Sequence, residues 1–313
     1  MPLITRRDGL RLGASALAGG LLLPEEILAQ VPTKNVSPPD IQPEKGASLR
    51  VMRPTKFVAG DQDLFEANTK KFTEKTGCQV RIDYESWEDL RPKTAVSANI
   101  GSGPDVVLGW LDDAHQFPEK CLDLSEVANY IGEKHGGWYD TPARYGRRKD
   151  GTWIGMPIGA GGGLINYRKS WVQEAGFEKP PTDPEGFLKL CKALAAKGHP
   201  PGLALGNAVG DENNRVVIDN PKTVQALEYA KELYTTFIPG TITWLDPNNN
   251  KAFLAGEVGL THNGISIYYV AKNSDDPKVK AIAQDMDHER PFVGPVGRPT
   301  ETSQVVTAKA IRH

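Results

Sequence analysis

The sequence predicts an α/β fold in two lobes, on three observations. Strand-like and helix-like segments alternate in order from Ser48 to Leu108. A glycine-rich stretch from Gly155 to Gly163 then interrupts the pattern, and a second series of helix and strand segments follows it. A length of 313 residues also suits two domains.

In the first lobe, Leu49-Arg50-Val51-Met52 reads as a strand. Asp61 to Thr76 reads as a helix whose Leu64, Phe65, Asn68 and Phe72 share one face, closed by Gly77. Val80 to Tyr84 alternates apolar and polar side chains as a second strand. Asp89 to Ile100 is helical, and Pro104-Asp105-Val106-Val107-Leu108 is a third, buried strand. Strand, helix, strand, helix, strand in so short a span implies a parallel sheet with right-handed crossovers.

The Gly155–Gly163 stretch fails as a phosphate-binding loop. No Gly-Lys-Ser/Thr follows, and the next segment is a strand, not a helix N-terminus. A dinucleotide fingerprint fails for the same reason, so the stretch reads as a crossover between lobes. Leu164 to Trp171 opens a second αβ unit, with a short helix ending at Gly176. Thr182-Asp183-Pro184 supplies a cap and an N1 proline for a helix running to Lys197. Pro221 to Phe237 is helical and is expected to bury Val224, Leu227, Ala230 and Leu233. In Asn249 to Gly264, NNKAFLAGEVGLTHNG, an apolar helical turn stops at Gly256, Val258 to Thr261 forms a short buried strand, and His262-Asn263-Gly264 turns at its end. Open α/β sheets place ligands at such strand ends.

At the other end of the chain, Arg6-Arg7 precedes a mild apolar run from Leu12 to Leu23. That is the pattern of a twin-arginine export signal, with a cleavage site at Ile27-Leu28-Ala29. The run is too short and too rich in glycine to span a bilayer. No cysteine lies near it to take a lipid anchor. Val31 to Gly46, with Pro32, Pro38, Pro39 and Pro43, reads as an extended leader.

A formal charge of -2 leaves no electrostatic footprint for nucleic acid or an anionic membrane. The basic run Arg144 to Lys149 reads as a solvated loop. Cys78, Cys121 and Cys191 are far apart without C-x-x-C spacing, which disfavours zinc, iron–sulfur and redox-motif chemistry. One pair could form a disulfide in an oxidising compartment, and the odd count leaves at least one thiol free.

The Asn249–Gly264 pattern resembles the motif near the end of the second lobe in family-one extracellular solute-binding proteins of ABC importers, the maltose-binding-protein-like group. "Pro-Ile-Gly … Leu-Ile-Asn-Tyr-Arg-Lys-Ser-Trp … Glu-Ala-Gly", from Pro157 to Gly176, resembles that family's first hinge crossing. Pattern matches run from about Leu49 to Thr300. The resemblance implies a two-lobed periplasmic-binding-protein-like fold of type II, incomplete at the C-terminus. The expected divisions are a signal over 1–29, a leader over 30–47, a first lobe over 48–158, a second lobe over 159–300 and a truncated return crossover over 301–313. Two departures from the family follow: an internal deletion near Gly210, and loss of the strand that returns to the first lobe. On that reading the first sheet keeps an unpaired edge and the chain is poorly stable.

The resemblance implies a monomeric, periplasmic, non-catalytic protein without cofactor or metal, which binds a carbohydrate between its lobes and presents it to permease membrane subunits. A sugar has apolar faces and hydroxyl edges, so its cleft needs aromatic platforms beside carboxylates, amides and backbone N–H groups. The strand ends supply Thr55, Lys56, Glu85, Trp87, Trp110 and Asp112 in the first lobe, and Asn207, Trp244, Asp246, Asn263 and Gly264 in the second. The family's sugar-contacting Trp and Asp fall at or beside Trp110 and Asp112. Trp138, Trp153 and Trp171 are assigned to packing. The family's tryptophan after the Asn-Gly turn is replaced here by Ile265-Ser266, which argues against a long oligosaccharide. Two rival readings are a ferric-ion binder using Tyr268, Tyr269 and His262, and a secreted glycosidase with Asp112 and Glu257 as its carboxylates. A twin-arginine redox enzyme is disfavoured by the missing cofactor motifs.

Overall fold

A computed structural model describes residues 33–44, 46–203, 221–245, 248–293 and 303–312. The signal segment, the expected deletion point near Gly210, and the site candidates Asn207 and Asp246 lie outside the described residues. Residues 33–44 carry no helix or strand; Lys34 donates its backbone N–H to the Lys134 carbonyl at 2.8 Å.

The first lobe opens with β1 (Ser48–Pro54), α1 (Ala59–Thr76), β2 (Gln79–Glu85), α2 (Trp87–Ile100) and β3 (Val106–Trp110). β1 pairs in parallel with both β2 and β3, which is the arrangement the alternation demanded. Gly77 closes α1 at φ 78°, in the left-handed region a glycine takes without strain. Three α-helices follow: α3 (Asp113–Gln116), α4 (Ser125–His135) and α5 (Asp140–Gly146). β4 (Met156–Gly162) then leads through Gly163 into the second lobe.

That lobe contains β5 (Leu164–Arg168), α6 (Lys169–Glu174), α7 (Pro184–Ala196), α8 (Pro221–Tyr234), α9 (Asn248–Leu254), β6 (Leu260–Asn263), α10 (Ser266–Lys272), α11 (Pro277–Asp285) and β7 (Met286–Glu289). Its sheet has the order β6-β5-β7, antiparallel throughout. Asp183 caps α7 by accepting from the Gly186 N–H at 2.7 Å, and Pro184 takes the first turn. The inner face of α7, Phe187, Leu190, Cys191 and Leu194, packs on Ile165, Tyr167 and Leu260 of the sheet. A second cluster joins Ala252, Phe253 and Val258 to Ile267, Ile282 and Met286.

The chain then returns. β8 (Ser303–Ala310) lies between β3 and β4, antiparallel to both, giving the first sheet the order β2-β1-β3-β8-β4. The expectation that this returning strand is missing is therefore corrected, and with it the unpaired edge on which poor stability was argued. β4 also belongs to this sheet as far as Gly162, so the first lobe runs past Ile158. Below the sheet, Met52, Val107 and Ile311 meet Leu90 and Ala98 of α2.

Three further expectations change. The Leu64, Asn68 and Phe72 face of α1 is exposed, and the less exposed stripe is Gln62, Phe65, Thr69 and Thr73, so α1 buries no residue fully. In α8, Val224 and Leu227 are exposed; the helix anchors through Tyr229, Leu233 and Tyr234 near its C-terminal end. All three cysteines are buried and free, so no disulfide pair forms. Trp138 and Trp153 pack together with Ala128 and Ala143, and Trp171 stacks on His199 at 3.9 Å.

Candidate functional site

A cleft of about 690 Å³ opens between the strand ends of the two lobes. Among the described residues, most of its wall belongs to the first lobe. The β1–α1 loop supplies Thr55, Lys56, Phe57 and Val58, and the first turn of α1 supplies Asp61; β2 ends in Glu85, the cap and first turn of α2 supply Ser86, Trp87 and Glu88, and β3 ends in Trp110. Local chemistry holds these loops. Thr55 binds the Glu85 carbonyl through its N–H at 2.7 Å and its hydroxyl at 3.1 Å, which ties the ends of β1 and β2 together. Ser86 caps α2, accepting from the Asp89 N–H at 3.2 Å, and so fixes Trp87 in the first turn. Lys93 pairs with Glu85 at 2.5 Å.

Trp87 and Trp110 lean on each other, with ring centroids 3.9 Å apart and planes tilted by 32°. Trp87 also packs against the lobe core, so one side of the pair is buried and the other borders the cleft. Behind Asp61, the buried Arg53 forms an ion pair with its carboxylate and lies 4.5 Å from the centroid of Phe65. Tyr84 donates to Glu66 at 2.6 Å, and burial followed by that bond pushes its pKa up to about 12. The hydroxyl stays protonated at every physiological pH.

The second lobe faces this wall with amides. Asn250 and Lys251 come from α9, Asn263 from the end of β6, and Ser266 from the start of α10. Asn263 donates to the Asn250 Oδ1 at 2.5 Å, and the Gly264 N–H returns to the Asn263 Oδ1 at 2.6 Å. Asn249, buried behind them, donates to the Thr261 hydroxyl at 3.2 Å and the His262 carbonyl at 3.1 Å. Asn166 on β5 donates to the Asn263 carbonyl at 2.9 Å and accepts from the His288 Nδ1 at 2.8 Å. The amides are fixed in place before any ligand arrives.

Comparison with known proteins decides the family. A family model described as "Bacterial extracellular solute-binding protein" matches residues 67–306. The chain belongs to this family of bacterial extracellular solute-binding proteins. A putative ABC transporter periplasmic-binding protein, YcjN of Escherichia coli (strain K12), is 25% identical over 226 residues, covering 64% of this chain and 50% of the relative. The chain thus spans half the length of that curated relative. Among solved structures, maltose-bound MalE3 of T. maritima superposes with a TM-score of 0.70 at 19% identity, over 85% of this chain and 72% of that one. A sugar transporter from Arthrobacter chlorophenolicus A6 with bound laminaribiose gives 0.71 at 16% identity, over 85% and 71%. A solute-binding protein from Thermotoga lettingae bound with α-D-tagatose gives 0.69 at 15% identity, over 85% and 73%. These likenesses establish the two-lobed fold.

Within this solute-binding protein, Thr55, Lys56, Glu85, Trp87, Trp110 and Asn263 meet in one cleft. Three other candidates stand elsewhere. Asp112 is exposed and paired with Arg91 at 3.0 Å, because the chain turns at Leu111 and carries it away from Trp110. Trp244 packs on the second lobe's core, its ring against Gly202 and Val258. Gly264 sits behind Asn263 and gives its N–H to that side chain. The cleft also uses residues that sequence reasoning missed: Phe57, Val58, Asp61, Ser86, Glu88, Asn250, Lys251 and Ser266. Ser86 was legible as a cap before the apolar run of α2, and Asn250 and Lys251 lie inside the motif already singled out.

The rival chemistries find little support in placement. Tyr268 packs on the second lobe's core and meets Tyr269 edge-on at 5.6 Å, while Tyr269 is half exposed. Among the described residues no group of three or more His, Cys, Asp or Glu could hold a metal ion. Glu257 is exposed beyond α9, and neither it nor Asp112 lines the cleft.

Proposed function

We propose that this protein binds a carbohydrate between its lobes and delivers it, as a monomer and without chemistry, to the membrane subunits of an ABC importer. The observation that carries this reading is the Trp87–Trp110 pair facing fixed amides across the cleft. An indole pair offers a flat apolar platform to the C–H face of a sugar ring, while Asn250, Asn263, Glu88 and Asp61 offer acceptors and donors to its hydroxyl edge. The solved relatives that carry maltose, laminaribiose and α-D-tagatose support the same ligand class. Transport needs only micromolar affinity, about -8 kcal/mol, within reach of one stacked ring and a few hydrogen bonds.

Tryptophan fluorescence titrated with a panel of mono- and disaccharides tests this reading, since both indoles border the ligand. A saturable change with at least one sugar, matched by a rise in thermal midpoint, is the expected result. A flat response to every sugar removes the carbohydrate assignment. Export is proposed through the twin-arginine route, on the Arg6-Arg7 pattern. Replacing both arginines with lysine is expected to leave precursor in the cytoplasm, and an undiminished periplasmic pool would falsify the route.

A further inference from the structure

The junction of β3 with the cleft carries a buried ion pair that sugar contact does not require. Lys309, on β8, is fully buried with its Nζ 3.3 Å from the Asp113 carboxylate, itself almost wholly buried. Asp113 is saturated with donors. Its Oδ2 accepts the Trp110 backbone N–H at 2.8 Å as well as Lys309, and its Oδ1 accepts the Arg91 Nε–H at 2.7 Å. Gly109 leaves the room: a Cβ there falls 2.4 Å from both the carboxylate oxygen and the ammonium. Leu111, the next residue after Trp110, is held at φ 33°, a region a leucine enters only when its surroundings impose it. Its N–H is tied to the Val305 carbonyl of β8 at 2.8 Å.

We propose that Asp113, its charge compensated by Lys309 of the returning strand, is the positioning residue that sets Trp110 against Trp87. The strained turn and the indole contact are both adjacent to the one backbone N–H that Asp113 holds. A carboxylate buried this deeply persists only with a paired cation, and Lys309 supplies it from the far end of the sequence. A strand with none of its described residues in the cleft wall thereby fixes one of its two aromatic rings.

The test uses the full chain and needs no ligand. Two indoles at this separation give an exciton couplet in circular dichroism; Trp138 and Trp153, with centroids 5.2 Å apart, add one of their own, so the Trp87–Trp110 couplet is read as the part of the signal that Trp87→Phe removes. Two double variants then remove both buried charges, so neither strands an ion. Asp113→Asn with Lys309→Met keeps an acceptor for the Trp110 N–H and is expected to retain the couplet. Asp113→Leu with Lys309→Met preserves volume but lacks the acceptor, and is expected to lose most of the couplet at unchanged helix content. An Asp113→Leu/Lys309→Met chain with the wild-type couplet overturns the proposal, as does a couplet indifferent to Trp87→Phe. Should that double variant fail to fold, Gly109→Ala, which displaces the pair without changing charge, decides by the same signal. The inference touches the carbohydrate reading only in a second arm, where the couplet-deficient variant binds its sugar about tenfold more weakly. If no sugar binds any variant, that reading fails while the couplet still decides the role of Asp113.

Discussion

The two lobes meet the cleft with different chemistry and different kinds of rigidity. The first lobe brings the aromatic rings and most of the charge, Lys56, Asp61, Glu85 and Glu88, on the connections that leave the three parallel strands of its sheet. The second brings mainly amides, Asn250 and Asn263, locked from behind by Asn249 and Asn166. Stacking is tolerant of ring identity, whereas a fixed amide accepts only a partner at the right place and distance. If the cleft binds a carbohydrate as proposed, the contrast predicts capture by the first lobe and discrimination by the second.

The largest way to break that contrast is to remove the platform. Trp87→Ala combined with Trp110→Ala is expected to weaken sugar binding by about 3 kcal/mol through lost stacking and burial, read by calorimetric titration. Affinity should fall for all sugars alike. Next comes Asn249→Leu, which removes the amide that donates to the Thr261 hydroxyl and the His262 carbonyl. It is expected to cost about 2 kcal/mol of stability in urea unfolding and to blur selection among sugars. Trp244→Ala, placed by sequence in the cleft and by structure in the core, is expected to lower stability by about 1.5 kcal/mol with affinity unchanged. A large loss of affinity in that variant would return Trp244 to the site.

The smallest effect is one of pH. Burial is the largest influence on Asp285 and by itself raises its pKa, but bonds from the Ser170 hydroxyl and N–H and from Arg168 together outweigh it and hold the carboxyl below its usual range. Burial also holds His262 and His288 below the usual imidazole range. All three have folded values below their unfolded ones. Their contribution is therefore full above the unfolded pKa and is lost as pH falls through the folded one. The second lobe's melting temperature is expected to begin falling below about pH 6.5 and to fall further in the carboxylate range; Asp285→Asn should flatten only the lower part.

Much of this was legible in the chain, for reasons that differ by element. The β1-α1-β2-α2-β3 series announced itself because each strand and its helix lie close in sequence and carry distinct periods. The residues near strand ends, Thr55, Lys56, Glu85, Trp87 and Trp110, followed from that register together with the chemistry a sugar cleft needs and, for Trp110, the family resemblance. β8 is hard to see in the sequence because its buried phase reads Val305, Thr307, Lys309, which puts a lysine in a core position. Trp244 was misplaced because a half-buried tryptophan looks alike in sequence whether its free edge faces a ligand or a neighbouring glycine. Helical periodicity groups Leu64, Phe65, Asn68 and Phe72 on one face of α1, yet of these only Phe65 lies in the less exposed stripe, which it shares with Thr69 and Thr73.

The insertion of β8 between β3 and β4 also sets an order of assembly. Val106 pairs with Ala310 across some two hundred residues, whereas every described strand of the second sheet lies between Leu164 and Glu289. Loop closure over the longer span is the slower event. On a growing or newly released chain, the lobe written second can condense while the one written first still waits for an interior strand. Until residue 310 is available, β3 and β4 lack the partner that joins them, and that open seam is the interval in which the chain is most exposed to aggregation or to capture by a chaperone.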